Sequence, residues 1–189
     1  LKSFAVASVT PVIIDPETTF ITLETTFKYD SSATTKDVST LETNVIEAIT
    51  DYNTDTLENF TGMFRYSTVG KTIDGADSSI LSNITKVKMY KYITPTLSSG
   101  LKYTLSFNNA FYNPHTGHNS SAGGIVSSTG FKINNDSSTN EHFLDDDGAG
   151  NIRVYYLSGT TRIYTDSTFG TINYTTGEII LTSANITSI

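Results

Sequence analysis

Residues 18–52 read TTFITLETTFKYDSSATTKDVSTLETNVIEAITDY, and the hydrophobic period of this segment changes once. Over residues 18–29 the side chains of Ile21, Leu23, Phe27 and Tyr29 fall on one face, and this alternation predicts a strand with one buried face. Beyond residue 36 the apolar residues recur every three or four positions, at Val38, Leu41, Val45, Ile49 and Tyr52, which predicts an amphipathic helix. Thr34 is the predicted N-cap, with Asp37 at the third helical position. The apolar faces of strand and helix need one another for burial, so the segment predicts a helix packed on a sheet.

The remainder of the first half continues this mixed pattern. A second helix is predicted over about residues 66–74, with Val69 and Ile73 facing inward, although Gly70 lowers its helix propensity. Alternation returns over residues 84–93 and predicts another strand. Residues 94–100, TPTLSSG, break both periods and form the predicted linker. We therefore expect an α+β domain at 1–97 and a second domain at 98–189.

The second half has no helical pattern of useful length. Alternation and turn residues predict five strands, at 101–111, 125–133, 151–157, 160–164 and 170–181. A polar loop is predicted at 114–124, and a hairpin turn at 175–177 divides the last strand. Several short strands at this spacing are typical of a β-sandwich or an open barrel. The predicted fold class is α+β, a small α+β domain followed by an all-β sandwich-like domain.

Composition excludes several classes of protein. With 22 Ser, 32 Thr and only 16% charged residues, the sequence favours strands and excludes helical bundles and coiled coils. A net charge of -7 opposes binding to a phosphate backbone, so nucleic acid is not an expected partner. No apolar run is long enough for a membrane span, and membranes are not expected partners either. The absence of cysteine excludes disulfides and thiolate metal sites. A start at Leu1 suggests a processed chain or a fragment.

The segment Asp145-Asp146-Asp147-Gly148-Ala149-Gly150-Asn151 resembles the start of a calcium-binding loop. Such a loop needs a bidentate Glu at its twelfth position, where this chain has Leu157. Clustered Asp, Gly and Asn are also typical of turns. The sequence therefore favours a structural hairpin turn over a weak cation site, which stays open as the alternative.

His115, His118 and His142 are the only histidines, and three histidines can hold a catalytic zinc. The HxxH spacing in a Gly-rich loop lacks the helical geometry and the Glu base of zinc proteases, so exposed loop histidines are favoured. No nucleophile elbow, phosphate-binding loop or dinucleotide fingerprint occurs. We therefore predict that the chain is not an enzyme and that it has no catalytic, cofactor-binding or metal-binding residues and no cofactor.

Tyrosines on predicted strands offer a third candidate site. Tyr90, Tyr92, Tyr112 and Tyr155 could form a platform for stacking sugars, but tyrosines on strand faces more often pack against neighbours. A carbohydrate-binding or adhesin-like β module is therefore the alternative function.

Glycosylation sequons occur about as often as the Ser and Thr content gives by chance, at Asn59, Asn83, Asn119, Asn135, Asn173 and Asn185.

Several phrases occur in an order that resembles one protein family. They are NVIEAITDY (44–52), LENF (57–60), FRYS (64–67), IDGADSSILSN (73–83), FLDDDG (143–148), GNIR (150–153) and GTINYTTGEIIL (170–181). From about Val9 onward the chain resembles the ring-forming baseplate wedge proteins of T4-like contractile-tail bacteriophages and, more distantly, the J-like baseplate family. Members of this family are longer, so the resemblance implies a C-terminal portion.

The resemblance also implies a function. It implies a structural virion protein without catalytic residues, located in the tail baseplate and assembled in the cytoplasm of the bacterial host. Such a protein links neighbouring wedges into a ring around the tail hub. Its expected partners are copies of itself, as a dimer or a ring, and other baseplate wedge proteins.

Overall fold

The structure is a computed structural model that describes residues 18–59, 61–118, 124–134, 136 and 139–189. Its contacts divide the chain into two compact units, one formed by Phe20–Tyr90 and one that includes Lys91–Ile189. The domain boundary that the sequence places after residue 97 stays a prediction, because contacts alone do not test whether either part folds independently.

The first unit packs two helices against a two-stranded sheet. Its elements are β1 (Phe20–Tyr29), α1 (Val38–Tyr52) with a π-helical extension (Asn53–Leu57), α2 (Tyr66–Asp74) and β2 (Ile80–Tyr90). β1 and β2 are antiparallel, with Phe20 opposite Tyr90 and Leu23 opposite Val87. Their core contains Val45, Val69, Ile73 and Ile80, flanked by Leu23 and Phe27 of β1. The predicted packing of helix on sheet is confirmed.

α1 begins later than its predicted N-cap. Asp37, not Thr34, is the N-cap: its backbone is extended, and its carboxylate accepts a hydrogen bond from the Thr40 amide at 2.8 Å. The Thr34 hydroxyl accepts from the Lys36 amide at 3.1 Å, so it closes a turn ahead of the helix. Both residues are good caps, and the sequence pattern alone chose the wrong one.

The second unit is an antiparallel five-stranded sheet with a small two-stranded sheet beside it. The strands are β3 (Leu101–Ser106), β4 (Lys132–Ile133), β5 (His142–Asp146), β6 (Asn151–Ser158), β7 (Thr161–Asn173), β8 (Glu178–Ala184) and β9 (Ile186–Ser188). The large sheet has the order β3-β8-β7-β6-β5, and β4 pairs with β9. One core joins both sheets, because Phe131 and Ile186 pack with Ile152, Val154 and Leu181. The α+β fold class is confirmed.

Several predicted strand limits are wrong. The predicted strands 160–164 and 170–181 are a single long β7 followed by β8 after the predicted 175–177 turn. β7 has extra residues on both sides of Asp166 where the register against β6 shifts, so the strand continues through its polar middle as a bulge. The predicted strand at 84–93 is Ile80–Tyr90, and the predicted strand at 101–111 ends at Ser106.

Two further differences lie near β4 and β5. Of the predicted 125–133 strand, only Lys132–Ile133 forms a strand, β4, which pairs with β9. The sequence pattern does not predict β5. β5 was missed because its polar residues Asp145 and Asp146 hide the alternation. The predicted polar loop at 114–124 lies partly outside the described residues. No helix in the described ranges is long and apolar enough to cross a membrane.

Ile73→Ala tests the core of the first unit. Ile73 of α2 is fully buried, so we expect the free energy of unfolding in urea to fall by about 2–5 kcal/mol. Ile84→Ala is the matched control, because Ile84 on β2 is 70% exposed and its truncation should change that free energy by less than about 0.5 kcal/mol. Equal losses in the two variants would show that the helices do not cover the sheet as described.

Candidate functional site

The acidic segment singled out in the sequence is the hairpin turn between β5 and β6, as predicted. Asp147 closes the turn: its carboxylate accepts hydrogen bonds from the Ala149 amide at 2.8 Å, the Asn151 amide at 2.9 Å and the Asn151 side chain at 2.6 Å. Partial burial would raise the pKa of Asp147, but these hydrogen bonds outweigh it and lower the pKa overall. Asp147 therefore stays ionised and holds the turn.

Asp146 is completely buried on the core side of β5. Its Oδ1 accepts hydrogen bonds from the amides of Ile125 and Val126 at 2.6 and 2.8 Å. Its Oδ2 accepts from the Tyr174 hydroxyl at 2.5 Å and from the Gly148 amide at 3.3 Å. A buried carboxylate needs such donors to offset the loss of its hydration. Asp146 thus ties two distant parts of the chain, the 125–126 segment and Tyr174, to the end of β5.

Asp145 lies on the opposite face of β5 and is 1% exposed. It accepts hydrogen bonds from Arg153 Nε at 2.9 Å, Arg162 Nη1 at 2.7 Å and the Tyr164 hydroxyl at 2.8 Å. Arg153 also donates from Nη2 to the carbonyl of Asp146 at 3.0 Å. These side chains cover Asp145 from solvent, so a residue on the outer face of the sheet is buried by its own partners.

Aromatic rings complete this outer face. The guanidinium of Arg153 lies 4.3 Å from the ring centroid of Tyr164, and that of Arg162 lies 4.7 Å from the ring centroid of Tyr155. Tyr155 also contacts the rings of Tyr164 and Phe143, at centroid distances of 5.8 and 5.7 Å. The cross-strand register places Leu157 opposite Arg162 on the same face. We call this surface the arginine–tyrosine patch; it consists of Phe143, Arg153, Tyr155, Leu157, Arg162 and Tyr164.

The carboxylates of the turn do not converge on a common point. Asp145 and Asp146 extend to opposite faces of the sheet, and Asp147 folds back onto its own turn. Within the described part of the chain, no three His, Asp or Glu side chains are grouped so that they could hold a metal ion. The geometry gives the acidic turn a structural role, and a cation site there stays the weaker alternative.

The three histidines are in two different environments. His115 and His118 are exposed in one loop, as predicted, with His118 Nδ1 and His115 Nε2 3.2 Å apart. The prediction of an exposed loop position is wrong for His142, which is fully buried on β5 between the rings of Phe131 and Tyr156. Its Nε2 lies 3.1 Å from Asp136 Oδ2, but neither ring nitrogen makes a well-aligned hydrogen bond within the described residues.

The tyrosines named as a possible sugar platform have neighbours of their own. Tyr90 stacks on Phe20 at 5.2 Å, Tyr112 meets His118 edge to face at 5.4 Å, and Tyr155 is buried in the arginine–tyrosine patch. Tyr92 is largely exposed.

Two of the glycosylation-sequon asparagines make hydrogen bonds within the fold. The Asn83 side chain donates to Asp74 at 2.7 Å, and the Asn173 side chain accepts from two amides of the 175–177 turn. Asn119 and Asn135 lie outside the described residues.

Sequence reasoning missed the partners of the three aspartates. Arg153, Arg162, Tyr164 and Tyr174 lie 8 to 28 positions from the carboxylates that they contact. No local spacing rule connects residues that far apart. The available signal is weak: three consecutive aspartates at the end of an apolar segment require donors from elsewhere in the chain.

Tyr174→Phe should destabilise the second unit. Removing the hydroxyl leaves the buried Asp146 Oδ2 with one donor fewer, so we expect the free energy of unfolding to fall by about 1–3 kcal/mol. Tyr29→Phe is the control, because the Tyr29 hydroxyl makes no hydrogen bond among the described residues and its loss should be close to neutral. Urea unfolding followed by circular dichroism measures both. An unchanged Tyr174→Phe protein would contradict the assigned bond.

Two tyrosines should ionise late in an alkaline titration. Burial, and then hydrogen bonds donated to Asp145 and Asp146, raise the pKa of Tyr164 and of Tyr174 above the usual value of about 10. A raised folded-state pKa means that their stabilisation is complete below about pH 10 and is lost as the pH rises through the folded-state pKa. Tyrosinate absorbance should show a late component that disappears in the Tyr164→Phe/Tyr174→Phe variant and on unfolding in urea. A single transition shared by all tyrosines would contradict this.

Comparison with known proteins finds similarity to phage baseplate proteins. Residues 17–92 match the family model of the baseplate structural protein gp6, C-terminal domain III. The chain is also 29% identical over 136 residues to baseplate wedge protein gp6 of Enterobacteria phage T4, a match that covers 62% of this chain and 20% of that protein. The resemblance seen in the sequence is therefore confirmed: the chain is similar to a C-terminal portion of the baseplate wedge protein gp6.

Proposed function

We propose that this chain is a structural component of a phage tail baseplate. In this proposal it associates with copies of itself and with other baseplate wedge proteins to build a ring around the tail hub, after assembly in the host cytoplasm. The observation that carries the proposal is the match of residues 17–92 to a domain of the baseplate structural protein gp6. The aligned T4 relative is a baseplate wedge protein, and the match spans a fifth of its length.

The chemistry of the candidate site supports a structural role over a catalytic one. The three carboxylates of the acidic turn accept hydrogen bonds from groups of their own chain, and two of them are buried. A general acid, a general base or a metal ligand must instead face a substrate or an ion. The functional groups of this turn therefore stabilise the fold, which is what an assembly protein requires.

Exposed apolar side chains support self-association. Ile46 on α1 is 64% exposed and Leu157 on β6 is 49% exposed, so each of the two units has an apolar side chain open to solvent. Symmetric assemblies use one contact many times, and neighbouring proteins hold copies together at high local concentration. A modest affinity for each contact is therefore sufficient in the full baseplate, and the isolated chain is expected to be a weak dimer or a small oligomer.

Sedimentation equilibrium of the 189-residue chain tests the self-association. We expect the apparent mass to rise above 20.6 kDa as the protein concentration increases from about 1 µM to about 1 mM. A strict monomer over this range would contradict self-association by this chain. A monomer that also binds a specific sugar on a glycan array would support the alternative, a carbohydrate-binding or adhesin-like module.

A further inference from the structure

We infer that the arginine–tyrosine patch of one copy docks onto the outer face of α1 of a second copy. This inference rests on the proposed self-association and assigns the surfaces that carry it out. Both surfaces belong to the same chain, and they have opposite charge.

The arginine–tyrosine patch is positively charged within an acidic protein. Among the described residues its two guanidinium groups pair with one carboxylate, that of Asp145, so one positive charge remains unmatched in a chain of net charge -7. The patch is also accessible, because Leu157 is 49% exposed and the Arg162 side chain is 36% exposed. A carboxylate of a partner can therefore reach the guanidinium edge that Asp145 does not use.

The patch is already ordered before any partner binds. Arg153 and Arg162 are each fixed by a hydrogen bond to Asp145 and by stacking on a tyrosine ring. Flexible arginines lose conformational entropy when they are immobilised on binding, and here folding has already removed that entropy. Arginine and tyrosine are also enriched among the residues that dominate protein–protein binding energies.

The outer face of α1 has the complementary character. Between Lys36 and Arg65 the sequence has no basic residue and six acidic ones: Glu42, Glu47 and Asp51 lie on α1, and Asp37, Asp55 and Glu58 flank it. In the middle of this face Ile46 is 64% exposed, one helical turn after Glu42 and next to Glu47. An apolar side chain bordered by carboxylates fits a surface that has an apolar centre bordered by guanidinium groups.

Charge favours a second copy as the occupant of each surface. The chain is acidic overall, so most pairs of faces on two copies repel each other, whereas the arginine–tyrosine patch against α1 pairs opposite charges. Each copy carries both surfaces, so the same contact can be repeated from copy to copy. Ile46 would then bury against Leu157 and Tyr164, with Glu42 or Glu47 on Arg162.

Charge-altering substitutions at the two exposed apolar centres test this pairing. Leu157→Glu places a carboxylate in the patch, and Ile46→Lys places an ammonium group on the acidic helix, so each variant alone should self-associate at least about tenfold more weakly than the wild type. An equimolar mixture of the two should associate more tightly than either alone, because the unmodified patch of the Ile46→Lys copy can then bind the unmodified α1 of the Leu157→Glu copy. In the reverse contact the introduced carboxylate faces the introduced ammonium group. Leu81→Glu and Ile84→Lys are matched controls at residues 68% and 70% exposed, and they should associate like the wild type. Circular dichroism checks that all variants fold.

The outcomes separate this inference from the proposed function. A self-associating wild type with weakened single variants, a rescued mixture and unaffected controls would support the pairing. If the wild type self-associates and Leu157→Glu and Ile46→Lys do so equally well, the pairing is wrong and the proposed self-association stands. Weakened single variants without rescue in the mixture would also overturn the pairing. A wild type that stays monomeric would overturn the pairing and the self-association together.

Discussion

The second unit depends on two adjacent buried carboxylates, Asp145 and Asp146, at the end of β5. A charge is stable in a protein interior only where donors replace its hydration shell. Adjacent residues of a strand point to opposite faces, so the pair recruits two sets of donors. Asp146 fixes the segment at 125–126 and Tyr174 on the core side, and Asp145 fixes Arg153, Arg162 and Tyr164 on the outer side. One dipeptide thereby organises both faces of the five-stranded sheet.

This arrangement connects stability with the proposed assembly role. The arginines that neutralise Asp145 are held in place by the fold, and their unused edges and stacked rings form the arginine–tyrosine patch. A baseplate protein must keep its contact surfaces in a fixed geometry, and a surface that folding has already ordered meets that requirement. In the first unit, α1 packs one side against α2 and the sheet and leaves an acidic side with Ile46 exposed.

The sequence predicted the elements better than the interactions between them. Both helices are predicted by periodicity. Leu41 and Val45 in α1, and Val69 and Ile73 in α2, are four residues apart and buried. The acidic turn was recognised from its Asp, Gly and Asn residues, which encode a turn locally. The predicted N-cap was wrong because Thr34 and Asp37 are both good caps and lie three residues apart. The predictions for β7 and His142 were wrong because the continuity of β7 and the burial of His142 depend on tertiary contacts. The donors to Asp145 and Asp146 could not be predicted, since a carboxylate specifies that it needs donors and not which strand supplies them.

Amide hydrogen exchange tests most directly whether each carboxylate organises its own face of the sheet. In Asp146→Asn the amides of Ile125 and Val126 lose their charged acceptor, so they should exchange at least about tenfold faster than in the wild type. In Asp145→Asn, which perturbs only the outer face, the same two amides should keep their protection. Equal exchange of Ile125 and Val126 in the wild type and in Asp146→Asn, or the same acceleration in both variants, would contradict the account.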